Sequence, residues 1–234
     1  MKIGIFSDIH GNLPAFEKVY SKLMRERCDR YYFLGDICGY YFNQNEVIDM
    51  MREIPNLEAI AGNHDVLFLK AIESDVVMFN YTDRFGLSFK QLKENITHAN
   101  LDYIEKLPKR KVTEDGMIGL FHGSPWSPLE EYVYPDAAMY RFDDLPYKYV
   151  FLGHTHRSMD IRRDEVRIIN PGSSGQPRDG NWPTYAVLDT ESGKAEIKSV
   201  PFDIDRLLKD IEQRNDTNTY IVDILRRIKQ NGNK

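Results

Sequence analysis

Five short clusters of residues with metal-binding side chains constrain this chain more than any other feature of its sequence. They contain five of the six histidines, together with aspartates, an asparagine and several glycines. The clusters are Asp8-Ile9-His10, Gly35-Asp36, Gly62-Asn63-His64-Asp65, Phe121-His122-Gly123 and Gly153-His154-Thr155-His156. Each follows a run of apolar residues with the length and composition of a buried strand, so the clusters are predicted to lie at strand ends.

The first part of the chain repeats a pattern of strand, polar cluster and helix. The predicted strands are 2–6, 31–34 and 57–61. Asn12 is expected to cap the first helix, and either Asn43 or Asn45 the second. Strands that alternate with helices are typical of βαβ units with a parallel sheet, which binds ligands beyond the carboxyl ends of its strands.

The rest of the chain is predicted to complete one α/β domain over residues 1–234, with two facing sheets and helices outside. Residues 65–107 are expected to be helical, either as a cap over one side of the site or as an ordinary layer on the sheet. Further strands are expected at 111–113, 117–121, 149–152, 166–169, 184–188 and 195–200, mainly antiparallel. Residues 125–149 are predicted to be irregular with a helix near 136–140, residues 203–230 to form one or two amphipathic helices, and the chain from Asn231 to fray.

Composition and charge narrow the possible partners and setting. The net charge of -5 and the isoelectric point near 5.7 give no general attraction to long nucleic acids or acidic membranes. No apolar run approaches the roughly 18 residues of a membrane-spanning helix, and the N-terminus does not resemble a signal peptide. Cys28 and Cys38 are expected to be inert free thiols, which favours a cytoplasmic setting. The oligomeric state is not predicted.

The spacing within the clusters favours two metal ions. If the backbone is extended, Asp8 and His10 share a face, and carboxylate with imidazole suits Mn, Fe or Zn better than Ca. If His154 and His156 are extended, their Cα atoms lie about 6.5 Å apart, which fits two ions about 3.5–4 Å from each other. Asp36 is the candidate bridging carboxylate. Two such ions polarise a phosphoryl oxygen and supply hydroxide, so no protein nucleophile is needed.

Together and in this order, the five clusters resemble the signature blocks of the calcineurin-like metallophosphoesterases, over residues 1 to about 180. The resemblance implies a four-layer αββα sandwich of two mixed sheets with outer helices and a dinuclear site at the strand ends. It implies a first metal held by Asp8, His10, Asp36 and His156, and a second held by Asp36, Asn63, His122 and His154. It also implies that His64 stabilises or protonates the leaving-group oxygen. Asp65 is expected either to orient His64 or to cap the following helix.

Two further stretches resemble one branch of that family. Gly35-Asp36-Ile37-Cys38-Gly39-Tyr40 and Asn170-Pro171-Gly172-Ser173 are similar to the small bacterial and archaeal phosphodiesterases. The serine/threonine protein phosphatases and the symmetrical dinucleoside tetraphosphatases have Asp-Arg where this chain has Gly39-Tyr40, so the acid partner of their catalytic histidine is missing here. Arg178 is a candidate phosphate-binding residue, with a salt bridge to Asp179 as the alternative.

The leading hypothesis is a hydrolase that cleaves a small phosphodiester or nucleotide with a metal-bridging hydroxide. Two divalent ions are expected, manganese first, with Fe, Zn, Ni or Mg as alternatives. The alternatives are a phosphomonoesterase and a dinucleoside polyphosphate hydrolase, for which Tyr40-Tyr41-Phe42 and Trp126 are candidates to stack on bases. A non-catalytic scaffold on the same fold is disfavoured because His64 and every expected ligand are present.

Overall fold

Two five-stranded sheets face each other in this computed structural model, which describes residues 1–231. The strands are β1 Lys2–Phe6, β2 Arg30–Phe33, β3 Leu57–Ala59, β4 Arg110–Val112, β5 Ile118–Phe121, β6 Tyr149–Phe151, β7 Ser158–Arg163, β8 Val166–Pro171, β9 Thr184–Asp189 and β10 Lys194–Ser199. The α-helices are α1 Leu13–Arg25, α2 Gln44–Arg52, α3 Asn63–Glu73, α4 Asp75–Phe85, α5 Ser88–Asn95, α6 His98–Glu105, α7 Ile204–Gln213 and α8 Thr219–Asn231. One 3-10 turn spans Met139–Phe142.

Both sheets mix parallel and antiparallel strands. The first has the order β10-β9-β1-β2-β3, in which β1, β2 and β3 are parallel and β9 is antiparallel to both of its neighbours. The second has the order β4-β5-β6-β8-β7, in which β5, β6 and β8 are parallel. The βαβ pattern is thus confirmed. The described strands of the second half are mainly antiparallel, as expected, with four antiparallel pairs and two parallel ones; the parallel pairs form the centre of the second sheet. The long segment 122–148 and the unpredicted strand β7, which is polar and half-exposed, act as crossovers that return the chain in parallel.

Alternation along the strands produces three packed layers of side chains, because successive strand residues point to opposite faces. Ile3, Ile5, Tyr32, Leu120 and Phe151 belong to the core between the two sheets. The outer face of the first sheet packs against the helices α1 to α6. The outer face of the second sheet is covered largely by the segment between β5 and β6, which contains only the 3-10 turn. The predicted α/β class with two mixed sheets is confirmed, and its fourth layer is mostly irregular rather than helical.

The segment 65–107 both covers the sheet and borders the predicted site. Phe68 and Phe89 join the core cluster of the first sheet, as an ordinary helical layer would. Tyr81 and Phe89 also lie against the ring of His64, with centroids 6.0 and 6.4 Å from it. Both alternatives drawn from the sequence therefore describe part of what this segment does.

The C-terminal segment 203–230 forms two helices, as expected. They pack on Tyr41 and Phe42, in a cluster of their own beside α1. The chain was expected to fray from Asn231, but Asn231 belongs to the last helix. Residues 232–234, which end both the predicted frayed tail and the predicted single domain, lie outside the described residues. None of the described helices is long and apolar enough to cross a membrane.

The N-cap of α1 ties the first cluster to the rest of the fold, which leads to a stability prediction. The Asn12 side chain accepts a hydrogen bond from the Ala15 amide and donates one to the carbonyl oxygen of Gly175. Asn12→Ala is expected to lower the free energy of unfolding by about 1–3 kcal/mol, because it removes the cap and leaves a buried carbonyl without its donor. The measurement is urea denaturation of the metal-free protein.

Asn43→Ala is the matched control, since Asn43 precedes α2 but its side chain makes no capping hydrogen bond. It is expected to change the free energy of unfolding by less than about 0.5 kcal/mol. Equal losses in the two variants would contradict the role given to Asn12.

Candidate metal centre

The parallel strands of both sheets end at one shared edge, and the predicted ligands lie there. Asp8 and Asp36 follow β1 and β2, and Asn63 begins α3 just after β3. His122 and His154 follow β5 and β6 of the other sheet. The centre is therefore built from two sheets that face each other, with each side chain placed by the turn that ends its strand.

The donor atoms form two groups that share one carboxylate. Within each group, all the ligand atoms lie within 4.8 Å of one another. The first group is Asp8, His10, Asp36 and His156, and the second is Asp36, His122 and His154. The amide oxygen of Asn63 adjoins the second group, 3.0 Å from Nε2 of His122. The structure thus brings all seven predicted ligands together, with Asp36 between the two sets.

Backbone carbonyl groups orient three of the histidines. The Nδ1 atoms lie at 2.8, 2.8 and 2.6 Å from the carbonyl oxygens in the pairs His10–Cys38, His122–Leu34 and His156–Gln176. Because a carbonyl oxygen only accepts hydrogen bonds, each Nδ1 carries a proton and Nε2 is the atom that faces the centre. The Nε2 atoms of His10 and His156 are 3.0 Å apart. In the neutral rings these are two lone pairs facing each other, an arrangement that a cation stabilises.

Buried atoms without partners point to the same conclusion. Oδ1 of Asp8, Oδ2 of Asp36 and Nε2 of His154 are buried and make no hydrogen bond within residues 1–231. The Nε2 atoms of His156 and His122 lie 3.3 Å from the two carboxylate oxygens. Buried polar atoms are almost always paired in folded proteins, so three orphans at one centre need an explanation. Carboxylate, amide and imidazole donors together fit divalent transition metals. The residues present fit two such ions.

The pKa values leave three histidines of the centre neutral and one charged. Burial lowers the pKa of His10 and His156 well below the ordinary value and that of His154 to about 3, so these rings are neutral and able to bind metal. Burial also opposes the charged form of His122, but the Asp36 and Asp8 carboxylates and the Leu34 carbonyl together outweigh it and raise the pKa of His122 to about 9. A cation at this position is therefore stabilised by its surroundings.

The backbone at the centre is unusual in a way that the sequence did not indicate. Five of the predicted ligands, none of them glycine, have φ between 53° and 67°: Asp8, His10, Asp36, His154 and His156. This left-handed region costs an ordinary residue about 1–3 kcal/mol. The expectation that Asp8 and His10, and likewise His154 and His156, lie on extended backbone is therefore wrong. Sharp turns direct these side chains instead, with His156 in the first group and His154 in the second.

Two positions must be glycine because side chains of the centre lie too close to leave room for a Cβ atom. A Cβ on Gly62 would overlap the side chain of Asp36. Gly39 has φ of 116°, and a Cβ there would lie 2.7 Å from Nδ1 of His10 and 2.9 Å from Nδ1 of His64. Any larger residue at either position would displace a predicted site residue.

Asp65 caps a helix and does not contact the His64 ring. Its carboxylate accepts four backbone hydrogen bonds, each 2.9 Å long, from the amides of Gly62, Asp36, Ile37 and Cys38. Among the described residues, these amides account for both of its oxygens. The structure supports the capping alternative. Asp65 makes no hydrogen bond to the His64 ring, so the alternative in which it orients His64 is not supported.

Tyr40 is the partner of His64 that the sequence did not reveal. Its hydroxyl oxygen lies 3.3 Å from Nε2 of His64, and Arg178 donates a hydrogen bond to the same oxygen at 3.0 Å. Burial lowers the pKa of His64 to about 4 and raises that of the Tyr40 phenol well above its ordinary value. The one signal in the sequence was the departure at Gly39-Tyr40 from the Asp-Arg of the protein phosphatases.

Arg178 presents an unpaired cation to the centre. Its side chain donates a hydrogen bond to the Tyr40 phenol and lies near the Tyr132 phenol, and its Nε is buried without a hydrogen-bond partner among the described residues. No ion pair with Asp179 or any other acid exists within residues 1–231, so the alternative of a rim salt bridge is wrong. A guanidinium that lacks a carboxylate partner beside a metal centre is suited to binding phosphate.

Three of the four aromatic residues expected to stack on bases are not available for that purpose. Tyr40, Tyr41 and Phe42 are at most 4% exposed and pack against the protein itself, so the expectation is wrong for them. Trp126 is 42% exposed, with the Arg141 guanidinium 3.9 Å from its ring centre.

The other reactive side chains outside the centre are unremarkable. Cys28 and Cys38 are free, and burial raises the pKa of Cys28 to about 11 and that of Cys38 well above its ordinary value, as expected of inert thiols. His98, which lies outside the clusters, is exposed at the start of α6.

Comparison with known proteins identifies the family. Residues 1–193 match the calcineurin-like phosphoesterase superfamily domain. The chain therefore belongs to this family of metal-dependent phosphoester hydrolases, as the resemblance of its five clusters implied.

Its relatives include bacterial and archaeal proteins of similar length. The chain is 30% identical to protein MJ0912 of Methanocaldococcus jannaschii, over 89% of this chain and 91% of that protein. It is 24% identical to the phosphodiesterase YfcE of Escherichia coli, over 82% of this chain and 89% of that protein. The crystal structure of a metallophosphoesterase from Sphaerobacter thermophilus is 30% identical, with a TM-score of 0.79 over 98% of this chain and 99% of the other.

The hydrogen bonds of Asp65 lead to a second stability prediction. Asp65→Asn would place an amide N–H₂ opposite backbone N–H donors, so the variant is expected to lower the free energy of unfolding by about 3 kcal/mol. The measurement is urea denaturation of the metal-free protein. Asp179→Asn is the control, because Asp179 is exposed and accepts only from the Asn181 amide. An unchanged stability of Asp65→Asn would show that the capping role is wrong.

Proposed function

We propose that this protein hydrolyses small phosphodiesters at a centre that binds two divalent metal ions. The observation that carries the proposal is the pair of donor groups that meet at Asp36. When bound, two such ions polarise a phosphoryl oxygen and lower the pKa of a water molecule, so that hydroxide is available near neutral pH. Manganese is the proposed metal, with Fe, Zn, Ni and Mg as alternatives, since the donor set is compatible with each of them.

One set of residues is proposed to bind the metal ions, and a second set is proposed to contact the substrate. The proposed ligands are Asp8, His10, Asp36 and His156 for one ion, and Asp36, Asn63, His122 and His154 for the other. The carbonyl groups behind the histidines fix their rings in the ligating orientation. Arg178 would bind a phosphate oxygen, and His64 would stabilise or protonate the oxygen of the leaving group.

Two observations support a diester as substrate. The relative YfcE is named a phosphodiesterase. The Asp-Arg pair that the resemblance associates with protein phosphatases is replaced by Gly39-Tyr40, and Tyr40 is buried against His64. Hydrolysis of dinucleoside polyphosphates is the weaker candidate, because three of the four aromatic residues on which it depended, Tyr40, Tyr41 and Phe42, are packed into the protein. The free cysteines support a reducing, cytoplasmic setting.

Metal stoichiometry tests the dinuclear centre independently of activity. The wild-type protein is expected to bind two Mn²⁺ per chain in equilibrium dialysis with elemental analysis. His154→Ala is expected to bind one ion tightly, since it removes a donor from one group only. Asp36→Asn is expected to weaken binding of both ions by more than about 100-fold, because this carboxylate belongs to both groups.

His98→Ala is the matched control, because His98 is exposed and lies outside the centre; it is expected to bind two ions. If wild type and His154→Ala bound the same number of ions, the dinuclear proposal would be wrong.

Model substrates test the reaction itself. In Mn²⁺, kcat/KM for bis(4-nitrophenyl) phosphate is expected to exceed that for 4-nitrophenyl phosphate by at least about tenfold. His64→Ala is expected to lower kcat on the diester by about 10- to 100-fold, at or below the low end of general-acid effects because 4-nitrophenolate leaves readily. His98→Ala should retain wild-type kcat. Preference for the monoester would establish a phosphomonoesterase, and absence of turnover in the metal-loaded protein would favour the scaffold.

A further inference from the structure

His64 is held by a phenol rather than by a carboxylate. Asp65, its neighbour in sequence, has both oxygens engaged by backbone amides. Nδ1 of His64 is buried and has no hydrogen-bond partner among the described residues. Its Nε2 lies 3.3 Å from the hydroxyl oxygen of Tyr40. Among the described residues, the one hydrogen-bond contact of the His64 ring is therefore at Nε2, with Tyr40, whereas its other neighbours are aromatic rings.

Arg178 determines the direction of the hydrogen bonds that join it to Tyr40 and Tyr40 to His64. A guanidinium only donates, so the Tyr40 oxygen accepts from Arg178, at 3.0 Å. The phenol O–H then remains free to donate to Nε2 of His64. One oxygen atom thereby fixes both side chains that are proposed to contact the phosphoester, which places them on the same side of the centre.

Tyr40 itself has little freedom to move. Its φ is 29°, and its amide donates a hydrogen bond to the hydroxyl oxygen of Tyr81, at 3.0 Å, in helix α4. Its ring packs between His10, with a centroid distance of 4.5 Å, and Phe85 and Tyr220, at 5.4 and 5.8 Å. The helices α4 and α8 thus pack against Tyr40. Helix α8 lies beyond the part of the chain that matches the family domain.

We propose that Tyr40 is a positioning residue of this centre, whose phenol oxygen holds His64 and Arg178 in place for the leaving group and the phosphate. The inference rests on the proposed phosphodiester hydrolysis. It assigns to Tyr40 the orienting task for which Asp65 was one alternative in the sequence analysis. The ring of Tyr40 fills space in the core and only its hydroxyl makes these bonds, so Tyr40→Phe removes the interaction and keeps the packing.

The first test observes the contact without catalysis. Ring ¹⁵N spectra of the metal-free and zinc-loaded protein are expected to show His64, assigned by its loss in His64→Gln, as the Nδ1–H tautomer with a hydrogen-bonded Nε2. Tyr40→Phe is expected to shift both ring nitrogens of His64. Tyr41→Phe is the matched control, because Tyr41 is equally buried and its hydroxyl lies 3.4 Å from the Gln176 side chain instead. Identical His64 spectra in wild type and Tyr40→Phe would overturn the proposal.

The second test uses two diesters that differ only in their leaving group. Tyr40→Phe is expected to lower kcat on methyl phenyl phosphate at least about tenfold more than on methyl 4-nitrophenyl phosphate, since the more basic phenolate needs more assistance. Release of Arg178 alone would raise KM equally for both substrates, so the ratio of the kcat values isolates the contact with His64. Adding His64→Gln to Tyr40→Phe should cost less than it costs in wild type.

Equal kcat losses on the two diesters, or full additivity of the two substitutions, would overturn the positioning role. If the wild-type protein hydrolysed neither diester, the proposed function would be the part that fails. The ¹⁵N spectra would still decide whether Tyr40 holds His64, so the two failures are distinguishable.

Discussion

Two buried carboxylates, Asp8 and Asp36, lie among imidazole rings whose Nε2 atoms point toward them, and much of the structure serves to maintain this arrangement. Burying each of these polar atoms without a partner costs free energy of folding, and the metal-free protein compensates for only part of it. His122 offsets part of it, because Asp36 stabilises its charged form. Two divalent cations would offset the remainder, so metal binding and stability of this edge of the fold are expected to be coupled.

The surrounding polar groups hold the turns that carry the ligands. Asn170 donates to the carbonyl oxygen of Gly153 at 2.7 Å and so supports the turn before the two histidines of the last cluster. Ser173 donates to the carbonyl oxygen of Asp8 at 2.7 Å, which joins the turn after β8 to the turn after β1. Together with the four amides on Asp65, these bonds stabilise left-handed backbone that would otherwise relax. The strain at the ligands is thereby offset by hydrogen bonds within the protein that need no metal.

The parts of the chain outside the common βαβ pattern contribute to the same centre. Helix α4 supplies Tyr81 and Phe85, and helix α8 supplies Tyr220, all packed around Tyr40 or His64. The Tyr132 ring stacks on His154 with centroids 3.8 Å apart, and its phenol lies near Arg178. The metal-binding turns come from the sheets, whereas the surroundings of the proposed acid and phosphate-binding residues come from segments that the strand pattern did not explain.

The sequence by itself determined every described strand except β7, the clusters at the strand ends and the set of donors, because apolar periodicity and residue chemistry are local properties. From these came the α/β class, the family and the expectation that Asp8 through His156 converge. Only the tertiary structure decided how they converge: the left-handed turns at five ligands, the parallel centre of the second sheet, and the choice of Tyr40 rather than Asp65 as the partner of His64. Those features depend on φ angles and on contacts between residues far apart in the chain, such as Tyr40 with Arg178. Spacing along a sequence carries no information about either.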